Sequence, residues 1–180
     1  LNVRESRQAH ALVTALLAVL LALIAFGLLS IAGRELQPRA ASAASAQADI
    51  DRGRYLVAFG ACNDCHTPGW RESDGRVPVS SWMIGNTVGF RGPWGTVYPA
   101  NVRLEFSQIS EATWLNMVRT RGGHPPMTWT NLRSLSLGDQ RAIYRFIRSL
   151  GPAGNPSPDD VPESKEPKTP YINVIPHGSP

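Results

Sequence analysis

Cys62-Asn63-Asp64-Cys65-His66 contains both cysteines of the 180-residue chain and one of its four histidines. Two thiols three positions apart stand one turn apart on a helix, and the adjacent imidazole projects from the same turn. This is the arrangement in which two thioethers join the vinyl groups on one edge of a haem while the imidazole reaches the iron. Chance alone would place these three residues in this register on the order of 2 times in 10,000, so no other signal in the chain is as specific. A structural zinc site needs four ligands, and the chain has no second Cys pair to supply them. A disulfide or a thioredoxin-like redox pair is the other use of such spacing, but the βαβ pattern that surrounds the latter is missing. The motif predicts one covalently attached haem c, held by Cys62 and Cys65, with His66 as an axial ligand of the iron.

The residues around the motif resemble those of the class I cytochromes c, and in particular the cytochrome c domains of membrane-bound dehydrogenase cytochrome subunits. The resemblance is carried by Arg52-Gly53-Arg54-Tyr55-Leu56 ahead of the Cys pair, and by Gly95-Thr96-Val97-Tyr98 with Asn101. It continues through Arg121-Gly122-Gly123, Pro126-Met127 and a final helix, so that it spans roughly residues 49–151. Those subunits typically carry three such domains, whereas this chain has one. Where they read Asn-Ile-Thr-Pro, this chain has Asn101-Val102-Arg103-Leu104. The resemblance implies an all-α class I cytochrome c fold, three main helices around one haem, and a methionine as second axial ligand.

Of the three methionines, Met127 suits that role. It follows Gly122-Gly123-His124-Pro125-Pro126, a stiff turn without helical register, and stands shortly before the last helix, as the family's methionine ligand does. Met117 lies in an expected helix from Glu111 to Arg121, and Met83 lies in Ser81-Trp82-Met83-Ile84; both are expected to pack in the core. His124, three residues before Met127, is the competing ligand. Met/His coordination raises the potential and closes the iron to substrates, so Met127 points to an electron carrier rather than an enzyme.

Helix signals flank the motif. Asp49 caps an expected helix to about Gly60 with Tyr55, Leu56 and Phe59 on its apolar face. Ser110 opens the middle helix, with Trp114, Leu115 and Val118 inward. Ser136 opens the last, where Ile143, Phe146, Ile147 and Leu150 form a stripe ended by Gly151-Pro152. In the resembled fold the first and last helices cross, and Gly53, having no side chain, would let them approach closely. Residues 67–100 show no sustained period and read as a long loop enclosing the haem; Trp82, Trp94 and Trp129 either line its pocket, with indole nitrogens available to the propionates, or pack in the core. From 151 to 180 there are 8 prolines in 30 residues, which predicts an extended tail that either wraps the domain, anchored by Tyr171, Ile172, Val174 and Ile175, or projects toward a partner.

Residues 11–32 are apolar at all but Thr14, Gly27 and Ser30, and carry no charge. Such a run is long enough to cross a hydrocarbon core of about 30 Å as a helix. Arg4 and Arg7 on one side balance Arg34 and Arg39 on the other, so flanking charge leaves the orientation open. Ala41-Ser42-Ala43 and Ala44-Ser45-Ala46 resemble cleavage sites of a secretory signal, but the run exceeds the roughly 7–15 residues of a signal core and favours an uncleaved anchor. The expected organisation is a cytoplasmic N-terminus (1–10), a transmembrane anchor (11–33), an Ala/Ser-rich flexible tether (34–48), a cytochrome c domain (49–151) and a Pro-rich tail (152–180).

The net charge of +4 is distributed without a Lys/Arg-rich run, which argues against a nucleic-acid partner. The expected partners are the lipid bilayer and other redox proteins: a dehydrogenase, a quinol-oxidising complex or a terminal oxidase. The attachment machinery of the resembled bacterial proteins works outside the cytoplasm. The expected placement is therefore the bacterial inner membrane, single-pass, with the haem domain on the periplasmic side. The expected function is single-electron transfer by a mono-haem cytochrome. A haem c subunit of a larger respiratory or dehydrogenase complex is the alternative, and a haem sensor or peroxidase is a more distant one.

Overall fold

The computed structural model describes residues 3–175, with side chains described at 10, 13–28 and 42–175. The chain divides into two compact units, Leu1–Ala46 and Gln47–Pro180. Helix α1 (Val3–Phe59) runs through the first and into the second, so the stretch expected to be a flexible tether at 34–48 is helical.

Among the described residues no helix is long and apolar enough to cross a membrane. This overturns the transmembrane anchor expected at 11–33 and the single-pass inner-membrane placement with a periplasmic domain. Positions 11–12 and 29–33, with the flanking Arg4, Arg7, Arg34 and Arg39, lie outside the described side chains.

The second unit is built on one helix crossing. Gly53, Leu56 and Val57 recur at helical spacing on the inner face of α1, against α6 (Leu137–Ser149). A Cβ at Gly53 would lie 2.0 Å from the Ala142 carbonyl oxygen and 2.6 Å from Phe146 Cβ, so the two backbones touch there. Ala142, Ile143, Phe146 and Ile147 bury the facing stripe of α6, and Leu150 packs at its edge. Helix α4 (Glu111–Thr120) adds Trp114 and Val118, while α3 (Val102–Gln108) adds Val102 and Phe106. Trp82 and Met83 close the core from the long connection. Tyr55 and Phe59, expected with Leu56 on the apolar face of α1, stack on each other in solvent, 53% and 77% exposed. The face that Gly53 brings against α6 is turned away from them.

Local chemistry sets the helix ends. The hydroxyl of Ser110 accepts from the Thr113 amide, and that of Ser136 from the Asp139 amide, each satisfying a donor at a helix start. The Asp139 carboxylate turns to Arg52 of α1 at 2.8 Å. Arg145 of α6 pairs with both Asp49 and Glu111, tying three helices together at the surface. The end of α6 is closed by a buried cation. Arg103 donates through Nε to the Gly151 carbonyl at 2.6 Å, through Nη1 to Ser80 at 2.6 Å, and through Nη2 to Leu150. Burial pushes its guanidinium pKa down, and three carbonyls compensate the lost hydration.

The all-α expectation is also overturned. Residues 67–100 contain a 3₁₀ turn (Val79–Ser81) and a hairpin of β1 (Gly89–Gly92) and β2 (Gly95–Val97), joined by the two-residue turn Pro93-Trp94. β3 (Tyr171–Asn173) pairs parallel with β1, giving a three-stranded mixed sheet of order β2-β1-β3. Hydrogen bonds rather than apolar burial hold the tail. Tyr171, Ile172 and Ile175 remain 39%, 43% and 43% exposed, while backbone pairing and the Arg91 side chain secure the segment. Arg91 donates to the carbonyls of Glu163 and Lys165 and pairs with Glu166. Two short helices, α2 (Cys62–His66) and α5 (Thr130–Ser134), complete the described elements.

Gly53→Ala is expected to lower unfolding free energy by about 3 kcal/mol, because neither Ala142 backbone nor Phe146 Cβ can yield to the added methyl. Gly122→Ala, where nothing lies within 4 Å of an added Cβ, should change it by less than about 0.5 kcal/mol. Urea unfolding of the two variants beside the parent measures the contrast.

Candidate functional site

Helix α2 consists of the five motif residues alone. It opens at Ala61 in the left-handed region (φ 55°) and closes at Thr67, whose amide donates to the Asn63 carbonyl. A buried relay fixes it. The Thr67 hydroxyl donates to Asn63 Oδ1 at 2.8 Å and accepts the Met83 amide at 2.9 Å, while the Gly85 amide donates to the His66 carbonyl at 3.0 Å. Asn63 and Thr67 are buried, so the motif is gripped through residues that are not its reactive ones.

His66 is held from the other side. Its Nδ1 lies 2.8 Å from the Ala100 carbonyl oxygen. A carbonyl only accepts, so the proton of the neutral ring is on Nδ1, and Nε2 carries the free lone pair. Burial pushes the imidazole pKa down, outweighing the support of the Ala100 carbonyl and of Glu105, and keeps the ring neutral at pH 7. This is the protonation state required of a metal-ligating histidine.

Cys62 and Cys65 are both free thiols and half-buried. Burial pushes the Cys62 thiol up to about 11. Burial also raises Cys65, opposed by Arg71, which pairs with Asp64 at 3.3 Å. Among the described residues no three or more His, Cys, Asp and Glu side chains converge as ligands for a metal ion.

Met127 stands in the loop between α4 and α5, 41% exposed. Gly123 lets this loop fold back on itself, since a Cβ there would lie 2.2 Å from the Met127 carbonyl oxygen. Arg133 of α5 donates to the carbonyls of Arg121 and Thr128 across the loop's two ends. His124 lies face to face with Trp94, with centroids 5.3 Å apart and planes 9° from parallel. That stack ties the turn of the β1–β2 hairpin to the methionine loop. No hydrogen bond, ring contact or ion pair joins His66 to Met127 among the described residues; each is placed by its own scaffold.

The three tryptophans expected near the site separate by their indole nitrogens. Trp82 Nε1 donates to the Val77 carbonyl at 2.9 Å, and the ring packs in the core. Trp129 stands between Trp114 and the Arg121 guanidinium. Trp94 Nε1 is buried without an acceptor, and the only other buried side-chain polar atom so left among the described residues is Asn63 Nδ2. Sequence reasoning missed Ala100, Thr67 and Asn63 as supports. The carbonyl that takes His66 Nδ1 belongs to a residue 34 positions away and has no side-chain signature. No family model matches the chain, and neither a curated protein nor a solved structure does.

With its thiol near 11, Cys62 of the haem-free protein carries only about 0.1% thiolate at pH 8. Its iodoacetamide labelling should therefore rise about tenfold per pH unit from 8 to 10. Peptide mapping of timed reactions follows the two cysteines separately, and a Cys62 rate that is flat with pH contradicts the assignment.

Proposed function

We propose that this chain is a mono-haem c-type cytochrome that passes single electrons to and from other redox proteins. The observation that carries the reading is the state of His66: neutral, with Nδ1 committed to Ala100, Nε2 free, and two unpaired thiols in the same helical turn. Cys62 and Cys65 would hold the haem through thioethers, and His66 and Met127 would be its axial ligands. When bound, the haem iron supplies a one-electron couple whose potential the protein tunes.

The chain's own residues fit such a group. A zinc ion needs more ligands than the motif brings together, whereas a porphyrin iron asks the protein for one imidazole and one sulfur and takes the thiols at its periphery. Trp94 Nε1 is a buried donor lacking an acceptor, and a propionate oxygen is an acceptor of the right kind. Thr67 and Asn63 orient the motif, and Ala100 sets the tautomer of the imidazole. Met127 keeps its side chain clear of the core, while the His124 ring is engaged with Trp94. No nucleophile, phosphate loop or paired carboxylates are needed for this role, which is that of a carrier or of the electron-transfer subunit of an oxidoreductase.

Expression alongside a c-type maturation system should yield protein heavier by one haem, with a c-type pyridine haemochrome. Bare polypeptide mass, under conditions that load a control cytochrome, would overturn the reading. In loaded protein, Met127→Ala should abolish the far-red sulfur-to-iron band and lower the midpoint potential, whereas His124→Ala should retain the band. A loaded parent that lacks this band, and whose spectrum changes on His124→Ala but not on Met127→Ala, assigns the ligand to His124.

A further inference from the structure

We propose that the tail segment 153–161 is a positioning strap for His66: it immobilises the strand of chain whose Ala100 carbonyl sets the imidazole's tautomer and orientation. The inference rests on the reading of His66 as an iron ligand. It goes beyond that reading by giving a function to the Pro-rich tail.

The strap grips residues on both sides of Ala100. Asn101, buried at 5% exposure, donates through Nδ2 to the carbonyls of Ala153 at 2.8 Å and Asn155 at 3.0 Å. The Ser157 hydroxyl donates to the Pro99 carbonyl at 2.6 Å. Asp160 accepts the Tyr98 amide at 3.1 Å, and Val161 exchanges backbone hydrogen bonds with Thr96. Residues 96, 98, 99 and 101 are thus all bonded to the tail, and the carbonyl between them goes to His66.

The same strap presses on the second support of the motif. A Cβ at Gly85 would lie 2.2 Å from Ser157 Oγ, and one at Gly154 would lie 3.1 Å from Ile84 Cβ. Gly85 is the residue whose amide holds the His66 carbonyl. Segments 83–85 and 98–101 each bond to the histidine, through Gly85 and Ala100, and the tail lies against both. Residues 99–101 lie between β2 and α3, outside regular structure, so loss of the strap leaves Ala100 free to turn. Prolines at 152, 156, 158 and 162 lower the entropy lost when this stretch is ordered.

A hydrogen bond to Nδ1–H raises the basicity of the imidazole and strengthens its donation to the oxidised iron. The strap is therefore expected to keep the midpoint potential low relative to a chain without it. The test uses Ser157→Ala and the double variant Ser157→Ala/Asp160→Ala, with Ser157→Thr as conservative rescue and Tyr171→Phe as a tail control away from Ala100. In haem-free protein, NMR should show the His66 Nδ1–H exchanging with solvent about tenfold faster in the double variant, with Ser157→Thr and Tyr171→Phe near the parent. In loaded protein the double variant should show a raised midpoint potential with the sulfur-to-iron band retained. Unchanged exchange and potential in a folded double variant overturn the strap. If the double variant does not fold, Ser157→Ala alone decides by the same two measurements. If the chain takes no haem, the proposed function fails, while the exchange measurement still tests the strap.

Discussion

The contact of two backbones at Gly53 and Ala142 is the constraint from which the 47–180 unit is assembled. A helix crossing with no side chain between the partners fixes their distance and angle, because any displacement collides with main-chain atoms that have no rotamers to relax. Leu56 and Val57 then meet Ile143, Phe146 and Ile147 in one register. The crossing also sets where α1 ends, and therefore where the motif begins three residues later. Surface ion pairs of Arg52 with Asp139, and of Arg145 with Asp49 and Glu111, lie along the same crossing. Being largely solvated, they add orientation more than stability.

Beyond the apolar core, arginines satisfying carbonyls join segments that the core does not reach. Arg103 closes the end of α6, Arg91 gathers the tail, and Arg133 spans the methionine loop. A guanidinium presents several donors in a plane, so one side chain can serve carbonyls from different segments at once. This suits a chain whose core is small and whose connections are long. It also explains how a tail with so many prolines, each lacking an amide donor, is fixed: its carbonyls accept from side chains such as Arg91 and Asn101, and its Ser157 hydroxyl donates outward.

At the motif, the physical theme is desolvation. His66 is neutral and loses little on burial, since its one donor is bonded, while the raised thiol pKa values keep both cysteines protonated in the haem-free chain. Asn63 Nδ2 and Trp94 Nε1 are the exceptions, donors carried into the interior with nothing to receive them. In the proposed reading the second has a partner in the propionates; nothing in the structure explains the first.

Local chemistry determined what can be read along the chain. Ser110 and Ser136 announce their helices because a cap and its amide lie within three residues, and the α6 stripe follows from helical periodicity. The spacing of Cys62, Cys65 and His66 likewise specifies a donor set, since one helical turn is a local geometry. Tertiary structure alone decided the rest. The β1–β2–β3 sheet is made of strands of three or four residues, too short for a period, and its parallel pairing spans some eighty residues of chain. The exposure of Tyr55 and Phe59 depends on which face Gly53 brings against α6. The partner of His66 Nδ1 is a main-chain carbonyl, a group every residue carries, so only the folded path of the chain could select Ala100.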